Sequence, residues 1–369
     1  MKTTSLQKDC TGLLETDSRG FGFLRSISTG FSQSPSDVFV PPQMITRYRL
    51  RPGVAVEGAA EERKGKSPEL RTIRTVNGLA PERWADLKEF TQLEVISPNA
   101  LIRLEGPRSN PAMRVIDLFC PLGKGQRALI VSPPKAGKTM LMQQMAHAIS
   151  ENHPEIDLLV LLIDERPEEV TDMRRSVRGE VFASSSDSER GTHVRIAQIV
   201  LEYARRKVEA GGDVVILLDS LTRLGRAFNL HQRSSGRTMS GGVDARALEI
   251  PKRIFGAART IENAGSLTII ATALVDTGSR MDELIFQEFK GTGNMELVLD
   301  RDLANERIFP AISLNDSGTR REELLFGPDA SRHQMLRRSL ARKSPREAML
   351  AVQKLLEQYP TNEVLLGKF

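Results

Sequence analysis

The sequence feature that most constrains the fold is SPPKAGKT, residues 132–139, because it joins a strand-like run to a helix-like run. The apolar run RALIVS precedes it, and TMLMQQMAHAIS follows it with helical periodicity. A strand, a loop of small residues and Gly-Lys-Thr at the start of a helix form the context in which phosphate-binding loops occur. We therefore predict a nucleotide site here, although serine stands where the usual pattern has its first glycine.

The second half of this loop carries the predicted phosphate chemistry. Pro133 and Pro134 have no N–H to donate, so the donors must come from residues 135–139. Backbone N–H groups at a helix N-terminus attract phosphate oxygens, and Lys138 adds positive charge near the β and γ phosphates. The hydroxyl of Thr139 can bind Mg²⁺. ATP and Mg²⁺ are the expected ligands.

Two acidic residues end further buried apolar runs. Asp219 ends VVILLD and Glu165 ends LLIDE, and ligands bind at the carboxyl ends of strands in open α/β sheets. We expect Asp219 to hold the Mg²⁺ shell and Glu165 to orient or deprotonate the attacking water. Capping of the following helix is the alternative role for each acid.

The order of apolar runs predicts two domains and a linker. LLVLLI, VVILL and LTIIATALV alternate with amphipathic helical segments, which predicts a mainly parallel sheet with helices on both faces. We assign residues 123–369 to this α/β P-loop ATPase domain, which ends in C-terminal helices. Short β segments within residues 1–80 predict a small all-β barrel, with EERKGKSPEL as a charged loop. The proline-rich stretch 81–122 is predicted as a linker.

Composition and charge limit the location and the partners. The longest apolar runs are shorter than the roughly 20 residues of a membrane span, and the N-terminus has no apolar signal core, so we expect a cytoplasmic protein. Cys10 and Cys120 lie far apart without paired histidines, which argues against a zinc site and a disulfide framework. Residues 1–75 hold 12 Lys/Arg against 8 Asp/Glu. This excess suggests an anionic partner such as nucleic acid, although a mild excess alone can serve solubility.

The segment RGFGFLR has the pattern of a base-stacking strand. Phe21, Phe23 and Arg25 fall on one face of a strand, and Phe39 could join them from an adjacent strand. Exposed aromatic rings stack nucleic-acid bases, and arginines hold phosphates. Core packing of the same rings is the alternative that this segment leaves open.

Longer segments identify a family. PPKAGKTM, VLLIDERPEEVTDM, ILLDSLTRL, GGVDA, IFGAAR, SLTIIATALVDTGS, EFKGTGNMEL and FPAI occur in this order, and together they resemble the Rho family of bacterial transcription termination factors. The similarity covers about residues 12–325. It implies an OB or cold-shock-like RNA-binding barrel followed by a RecA-like ATPase domain. It also implies a homohexameric ring with ATP between subunits and RNA drawn through the pore, and a single-stranded RNA substrate that is rich in cytosine.

The resemblance further implies individual site residues. Arg320, in GTRREEL, matches the arginine finger that acts on the ATP of the neighbouring subunit, and Arg307 matches a second arginine at that interface. The implied ATP-binding residues are Gly123, Lys124, Gly125, Gln126, Arg127, Ala128, Lys135, Ala136, Gly137, Lys138, Thr139, Met140, Arg166 and, against adenine, Phe309. The implied RNA-binding residues are Gly20, Phe21, Gly22, Phe23, Leu24, Arg25, Asp37, Val38 and Phe39 in the barrel, and Thr238, Met239, Ser240, Gly241, Gly242, Val243 and Arg280 in two loops facing the pore.

These predictions combine into one expected function with two rivals. We expect an RNA-dependent ATPase, a translocase or helicase that binds nascent RNA and releases the transcript from RNA polymerase. A rotary or recombinase-type ring that acts on protein or DNA is one rival, against which the F-G-F barrel and the GGVDA loop argue. A passive RNA-binding protein with a decayed ATP site is the other rival. The intact Lys138, Thr139, Glu165, Asp219 and Arg320 argue against it.

Overall fold

The computed structural model of the chain describes residues 7–27, 30–107, 110–187, 190–231, 242–244 and 246–369. The chain forms two compact units. The first contains residues 1–94, 195–212 and 262–265, and the second contains residues 95–194, 213–261 and 266–369. No helix within the described ranges has both the length and the apolar character that a membrane span requires.

The first unit contains a closed five-stranded barrel in the order β1-β2-β3-β5-β4. Its strands are β1 Gln7–Thr16, β2 Gly22–Arg25, β3 Val38–Val40, β4 Ala55–Arg63 and β5 Lys66–Val76, and two short helices follow β3 and β5, α1 Pro42–Arg47 and α2 Pro81–Ala85. Leu14, Leu24, Val40, Val56 and Leu70 fill its interior. The predicted all-β barrel is confirmed. The predicted charged loop EERKGKSPEL is wrong, because β4 and β5 form a hairpin in which only residues 64 and 65 lie outside a strand.

The stretch predicted as a linker, 81–122, is divided between the two units at residue 94. Its first part contains α2, whose Trp84 is fully buried against the barrel residues and donates its indole N–H to the Arg49 carbonyl at 3.4 Å. The second part contains the helix 111–119, which is buried in the core of the second unit. Both parts bury apolar surface, so neither is a free connection.

The second unit is built on a mainly parallel sheet in the order β14-β13-β7-β12-β10-β8-β9. The strands are β6 Val95–Ile96, β7 Arg127–Ser132, β8 Ile156–Glu165, β9 Glu180–Ser185, β10 Asp213–Asp219, β11 Arg259–Ile261, β12 Ser266–Leu274, β13 Met295–Val298 and β14 Gly318–Thr319. The strand β14 is antiparallel to β13, and β11 joins β6 to β12 in antiparallel pairs. The central strands are almost wholly buried, as their uninterrupted apolar runs predict.

Helices surround this sheet and include the predicted C-terminal ones. The helices after residue 94 are α3 Pro111–Phe119, α4 Lys138–Asn152, α5 Pro167–Ser176, α6 Arg190–Glu209, α7 Leu221–His231, α8 Glu249–Phe255, α9 Arg280–Lys290, α10 Arg301–Asn305, α11 Glu323–Phe326, α12 Ala330–Leu340, α13 Pro345–Gln358 and α14 Asn362–Leu366. Of these, α6 is assigned to the first unit from residue 195 onward. Ser344 and Glu347 form a capping box that starts α13, and Met349 and Val352 bury its apolar face. The buried Arg114 of α3 donates to the carbonyls of Leu356 and Tyr359, which fixes the C-terminal helices to the unit.

Candidate nucleotide and RNA sites

The predicted phosphate loop lies between β7 and α4. Lys135 has a φ of 65°, and Gly137, the residue before α4, has a φ of 92°. The left-handed conformation at 137 favours glycine, and it lets the backbone turn directly from the loop into the helix. Lys135 and Gly137 are exposed, whereas Ala136 is buried. The loop therefore presents backbone at the start of a 15-residue helix, as a phosphate cradle requires.

Lys138 neutralises two carboxylates that come from neighbouring strands. Its Nζ lies 2.5 and 2.6 Å from the two carboxylate oxygens of Asp219 and 3.6 Å from Oε1 of Glu165. The hydroxyl of Thr272, on β12, donates to Asp219 at 2.8 Å. The carboxyl ends of β7, β8, β10 and β12 thus bring together the lysine and both acids, as the strand-end argument predicts.

Glu165 is the least satisfied charged group at this edge. Its side chain is 2% exposed, and neither carboxylate oxygen has a hydrogen-bond partner, although Lys138 and Arg223 lie 3.6 and 3.4 Å away. Burial and repulsion by Asp219 raise the pKa of Glu165 to about 7, against the attraction of Lys138 and Arg223. A buried carboxyl with free lone pairs and a raised pKa is suited to accept a proton from a bound water.

The same edge supplies oxygen ligands for Mg²⁺. Thr139 follows Lys138 in the first turn of α4 and is half-buried, and Asp219 is 2% exposed. Within the described residues no group of three or more His, Cys, Asp or Glu side chains is arranged to hold a metal. One hydroxyl and one carboxylate fit an ion that takes its other ligands from phosphate and water, as Mg²⁺ does.

An apolar pocket of about 410 Å³ lies beside the phosphate loop. It is lined by Ala136, Gly137, Met140, Leu141, Phe309 and Ile312, among others. Met140 and Phe309 are 61% and 47% exposed, and both line this pocket, so a group that entered it would cover apolar surface of both. The pocket can accept a flat base adjoining the cradle. Arg307, two residues before Phe309, is also exposed.

Arg166 directly follows Glu165 and is exposed at the start of α5. The loop, Arg166 and Phe309 therefore occupy the same end of the sheet, as the ATP-binding prediction requires.

The other predicted ATP-binding segment, 123–128, lies at the opposite end of β7. Lys124 pairs with Asp213 at 2.7 Å, and Gln126 donates to Asn294 at 2.7 Å. A strand of six residues separates this segment from the loop by about 20 Å. The structure does not bring residues 123–128 to the phosphate loop. The extended strand β7 lies between them, so the two segments are at opposite ends of the parallel strands.

Arg320 lies at this opposite edge, directly after β14. Thr319 pairs with Met295, which in turn pairs with Ala128 at the start of β7, and the Arg320 N–H donates to Asn294. Its side chain is exposed. Burial and the charge of Arg320 lower the pKa of Arg127 below its ordinary value. Arg320 therefore cannot contact the loop of its own chain.

The predicted pore loops follow α7 and β12. Thr238, Met239, Ser240 and Gly241 lie outside the described residues. Gly242 is exposed with a φ of 78°, and its carbonyl accepts from Asn229 at 3.3 Å. The side chain of Val243 is fully buried, so it cannot be an RNA contact. Arg280 is exposed at the start of α9, where Ser279 caps the helix.

Three phenylalanines form an outward-facing cluster on the barrel. The ring centroids of Phe21, Phe23 and Phe39 lie 5.6 to 5.9 Å apart, and each ring is half-buried. Arg19 and Arg63 lie over Phe21 and Phe39, at 4.7 and 5.3 Å from the centroids. The three side chains lie outside the core that Leu14 and Leu24 form, so the core-packing alternative is wrong for them. We call this cluster the ring platform.

Several other barrel residues contribute less to a surface than predicted. Leu24 and Val38 point into the barrel core, because alternate residues of a strand face opposite sides. Arg25 and Asp37 are buried and paired with each other, so Arg25 is not free to hold a phosphate. Gly20 is exposed with a φ of 88°. A Cβ at Gly22 would lie 2.6 Å from Leu14, so the strand needs glycine between the two rings.

Sequence reasoning missed Arg223 and Thr272. Arg223, on α7, donates to the Asp164 carbonyl and approaches Glu165, and Thr272 holds Asp219. Arg223 lies four residues after Asp219, on the helix that follows β10, which is the signal that could have placed it at this edge.

Comparison with known proteins agrees with both units. Residues 112–319 match the nucleotide-binding domain of the ATP synthase alpha/beta family, and residues 10–82 match the Rho termination factor RNA-binding domain. The chain is 51% identical over 360 residues to transcription termination factor Rho of Chromobacterium violaceum, covering 95% of this chain and 86% of the relative. It is 50% identical to that of Pseudomonas aeruginosa, covering 95% and 85%. An ATPase of a type III secretion system shares the fold at a TM-score of 0.60 and 19% identity, covering 80% of this chain and 87% of that one.

Proposed function

The chain belongs to the transcription termination factor Rho family, and on that premise we propose that it is an RNA-dependent ATPase that terminates transcription. One observation carries the proposal. A phosphate loop with a half-buried lysine and two buried carboxylates, and an outward-facing ring platform, occur in one chain. The first arrangement suits ATP hydrolysis, and the second suits single-stranded RNA.

In the proposed hydrolysis, the chain's own residues prepare the attack of water on ATP. Residues 135–139 bind the phosphates through backbone N–H groups, and Lys138 moves its charge from Asp219 to the nucleotide. Glu165, released from this attraction, orients the water and accepts its proton. Phe309 and Met140 hold the base. Mg²⁺, held by Thr139 and Asp219, would neutralise the phosphate charge that develops.

The proposed active unit is a homohexameric ring. Arg320 lies at the edge of the sheet opposite its own Lys138, so it can act only on the ATP of a neighbouring subunit. Arg307, in contrast, lies near the base pocket of its own chain, and in a ring it would face the same interface from the other side.

The proposed RNA path has two parts. The ring platform captures cytosine-rich single-stranded RNA, and the loops that contain Gly242 and Arg280 contact RNA in the pore. Translocation along the RNA in the cytoplasm then releases the transcript from RNA polymerase. The proposed RNA contacts are supported by family membership, by the outward-facing rings of the platform and by the exposure of Gly242 and Arg280.

Steady-state ATP hydrolysis with and without cytosine-rich RNA tests the proposal. Strong stimulation is expected, because the family couples the two activities. An ATPase that ignores RNA would point to another ring ATPase, since the fold is shared with the secretion ATPase. RNA binding without any hydrolysis would point to a passive binder.

The raised pKa of Glu165 predicts a pH dependence. The base acts as the ionised carboxylate, and the ionised fraction rises with pH through about 7. The kcat/KM for ATP should therefore rise between pH 6 and pH 8. Glu165→Gln should lower kcat by at least about a hundredfold and remove this dependence. The same pH profile in Glu165→Gln would show that another group titrates.

A further inference from the structure

Arg195 belongs to the first unit, although it is far from the barrel strands in sequence. Its Nε donates to Oε1 of Glu15 at 2.6 Å, and its Nη2 donates to Oε2 at 2.8 Å. The same Nη2 donates to the Phe31 carbonyl at 2.8 Å. A bidentate arginine fixes the plane of a carboxylate as well as its position. Arg195 therefore determines how Glu15, on β1, is oriented.

Glu15 in turn holds Arg25 below the ring platform. Nε of Arg25 donates to Oε2 of Glu15 at 2.6 Å, and its Nη1 donates to Asp37. The side chains of Arg25 and Asp37 are only 10% and 5% exposed. The guanidinium of Arg25 lies 4.9 Å from the centroid of the Phe23 ring. The contact beneath Phe23 is thus set by two carboxylates, and Arg195 fixes one of them.

The four charges form a neutral chain, Arg195, Glu15, Arg25 and Asp37. Burial alone would raise the pKa of Glu15, but the hydrogen bonds and charges of Arg195 and Arg25 lower it below its ordinary value. Glu15 therefore stays ionised, and its bond to Arg25 persists at neutral pH. Without Arg195, Glu15 would lose its bidentate partner at the end of this series of ion pairs. The three remaining groups, Glu15, Arg25 and Asp37, would carry a net negative charge beneath the platform.

We propose that Arg195 is a positioning residue for RNA capture, which acts through Glu15 and Arg25 to hold Phe23 in the stacking geometry. The inference rests on the proposed RNA function of the barrel. Arg195 contributes preorganisation, because a ring that is already fixed loses little freedom when a base stacks on it. Arg195 does not itself touch the RNA in this arrangement.

The test is Arg195→Gln in the full chain, with binding of a short labelled oligocytidine measured without nucleotide. The dissociation constant should rise about tenfold, because a charge-assisted contact that fixes the platform is lost. The slope of its logarithm against the logarithm of salt concentration should not change, since no phosphate contact is removed. A slope smaller by about one would assign Arg195 to direct phosphate binding and overturn the proposal.

Arg205→Gln is the matched control, because Arg205 lies on the same helix and pairs with Glu202 at 2.7 Å. It removes the same charge without touching Glu15, and its affinity should stay within about twofold of the original chain. Arg195→Lys keeps the charge but loses the bidentate geometry. Its dissociation constant for oligocytidine should therefore lie between those of the original chain and Arg195→Gln. An affinity of Arg195→Lys equal to that of the original chain would contradict a role in orientation.

Two further variants separate this inference from the proposed function. Phe21→Ala with Phe23→Ala should weaken binding; unchanged affinity would overturn the RNA role of the platform itself. If the rings matter but Arg195→Gln has no effect, only the positioning role is wrong. In a Phe23→Ala background, Arg195→Gln should cause no further loss, because it acts through that ring. A full additional loss would indicate general destabilisation and contradict the proposal.

Discussion

Lys138→Ala should lower the rate of ATP hydrolysis at least about a thousandfold and leave RNA capture by the barrel within about twofold. Lys138 pairs with Asp219 at 2.5 Å, lies 3.6 Å from Glu165 and is the first residue of α4. Its loss removes charge from the transition state and from the two acids together. Hydrolysis and oligocytidine affinity, measured on one preparation, check both halves of the prediction.

The Lys138→Ala variant needs a stability control, because it leaves two buried carboxylates without their lysine. Without Lys138, Asp219 and Glu165 lie buried with a weaker counter-charge, and leaving buried charge unpaired is strongly destabilising. Thermal unfolding of the variant therefore accompanies the kinetics. Lys290→Ala removes an exposed lysine 3.8 Å from Glu296 and controls for the loss of a lysine in general. It should change neither the rate of ATP hydrolysis nor the thermal unfolding. Hydrolysis by a folded Lys138→Ala within tenfold of the original chain would contradict the assigned site.

The grouping of Lys138, Glu165 and Asp219 was largely predictable because parallel strands end at one edge. Three separate segments place Lys138, Glu165 and Asp219 at strand ends, and the fold needs no further information to bring them together. Residues 123–128 show the limit of that reasoning. They lie close to the loop in sequence, but extended backbone carries them to the far edge, where Asp213 and Asn294 hold them.

The barrel shows a different limit. The stretch from 61 to 70 is so rich in charge that it reads as a loop, whereas it belongs to two paired strands. Glu61 pairs with Arg71, and Arg63 pairs with Glu69, so opposite charges satisfy one another across the hairpin. A pattern taken from one strand cannot reveal this, since the compensating charges lie on its neighbour.

Arg195 could not be found from its own neighbourhood in sequence. It lies in a helix whose local pattern is that of any amphipathic surface, and its partner Glu15 is 180 residues earlier. The folded barrel supplies the reason for the arginine: a half-buried Glu15 that already holds Arg25 gains a second counter-charge from Arg195. A supporting residue such as Arg195 can be identified only from the tertiary structure. The rings that it supports can be predicted from the alternation of side chains along a strand.

Arg320→Ala should lower the turnover of ATP by about 10³ to 10⁵ while nucleotide still binds, because an arginine finger acts on the charge of the transition state. Arg321 gives a matched control, since it is the next residue and contacts Ser97 at 3.0 Å. Arg321 has a φ of 57°, so Arg321→Asn is the suitable variant, and it should keep most of the activity.

Rings that mix the two inactive variants would show whether the finger acts between subunits. An Arg320→Ala subunit keeps its own Lys138, Glu165 and Asp219, and a Lys138→Ala neighbour keeps its Arg320. If the arginine acts in trans, the contact between these two subunits is a complete site, so mixing two inactive proteins should restore hydrolysis. If it acts in cis, every subunit lacks one essential group and the mixture stays inactive. The separation of Arg320 from its own phosphate loop by the length of β7 leads us to expect restoration.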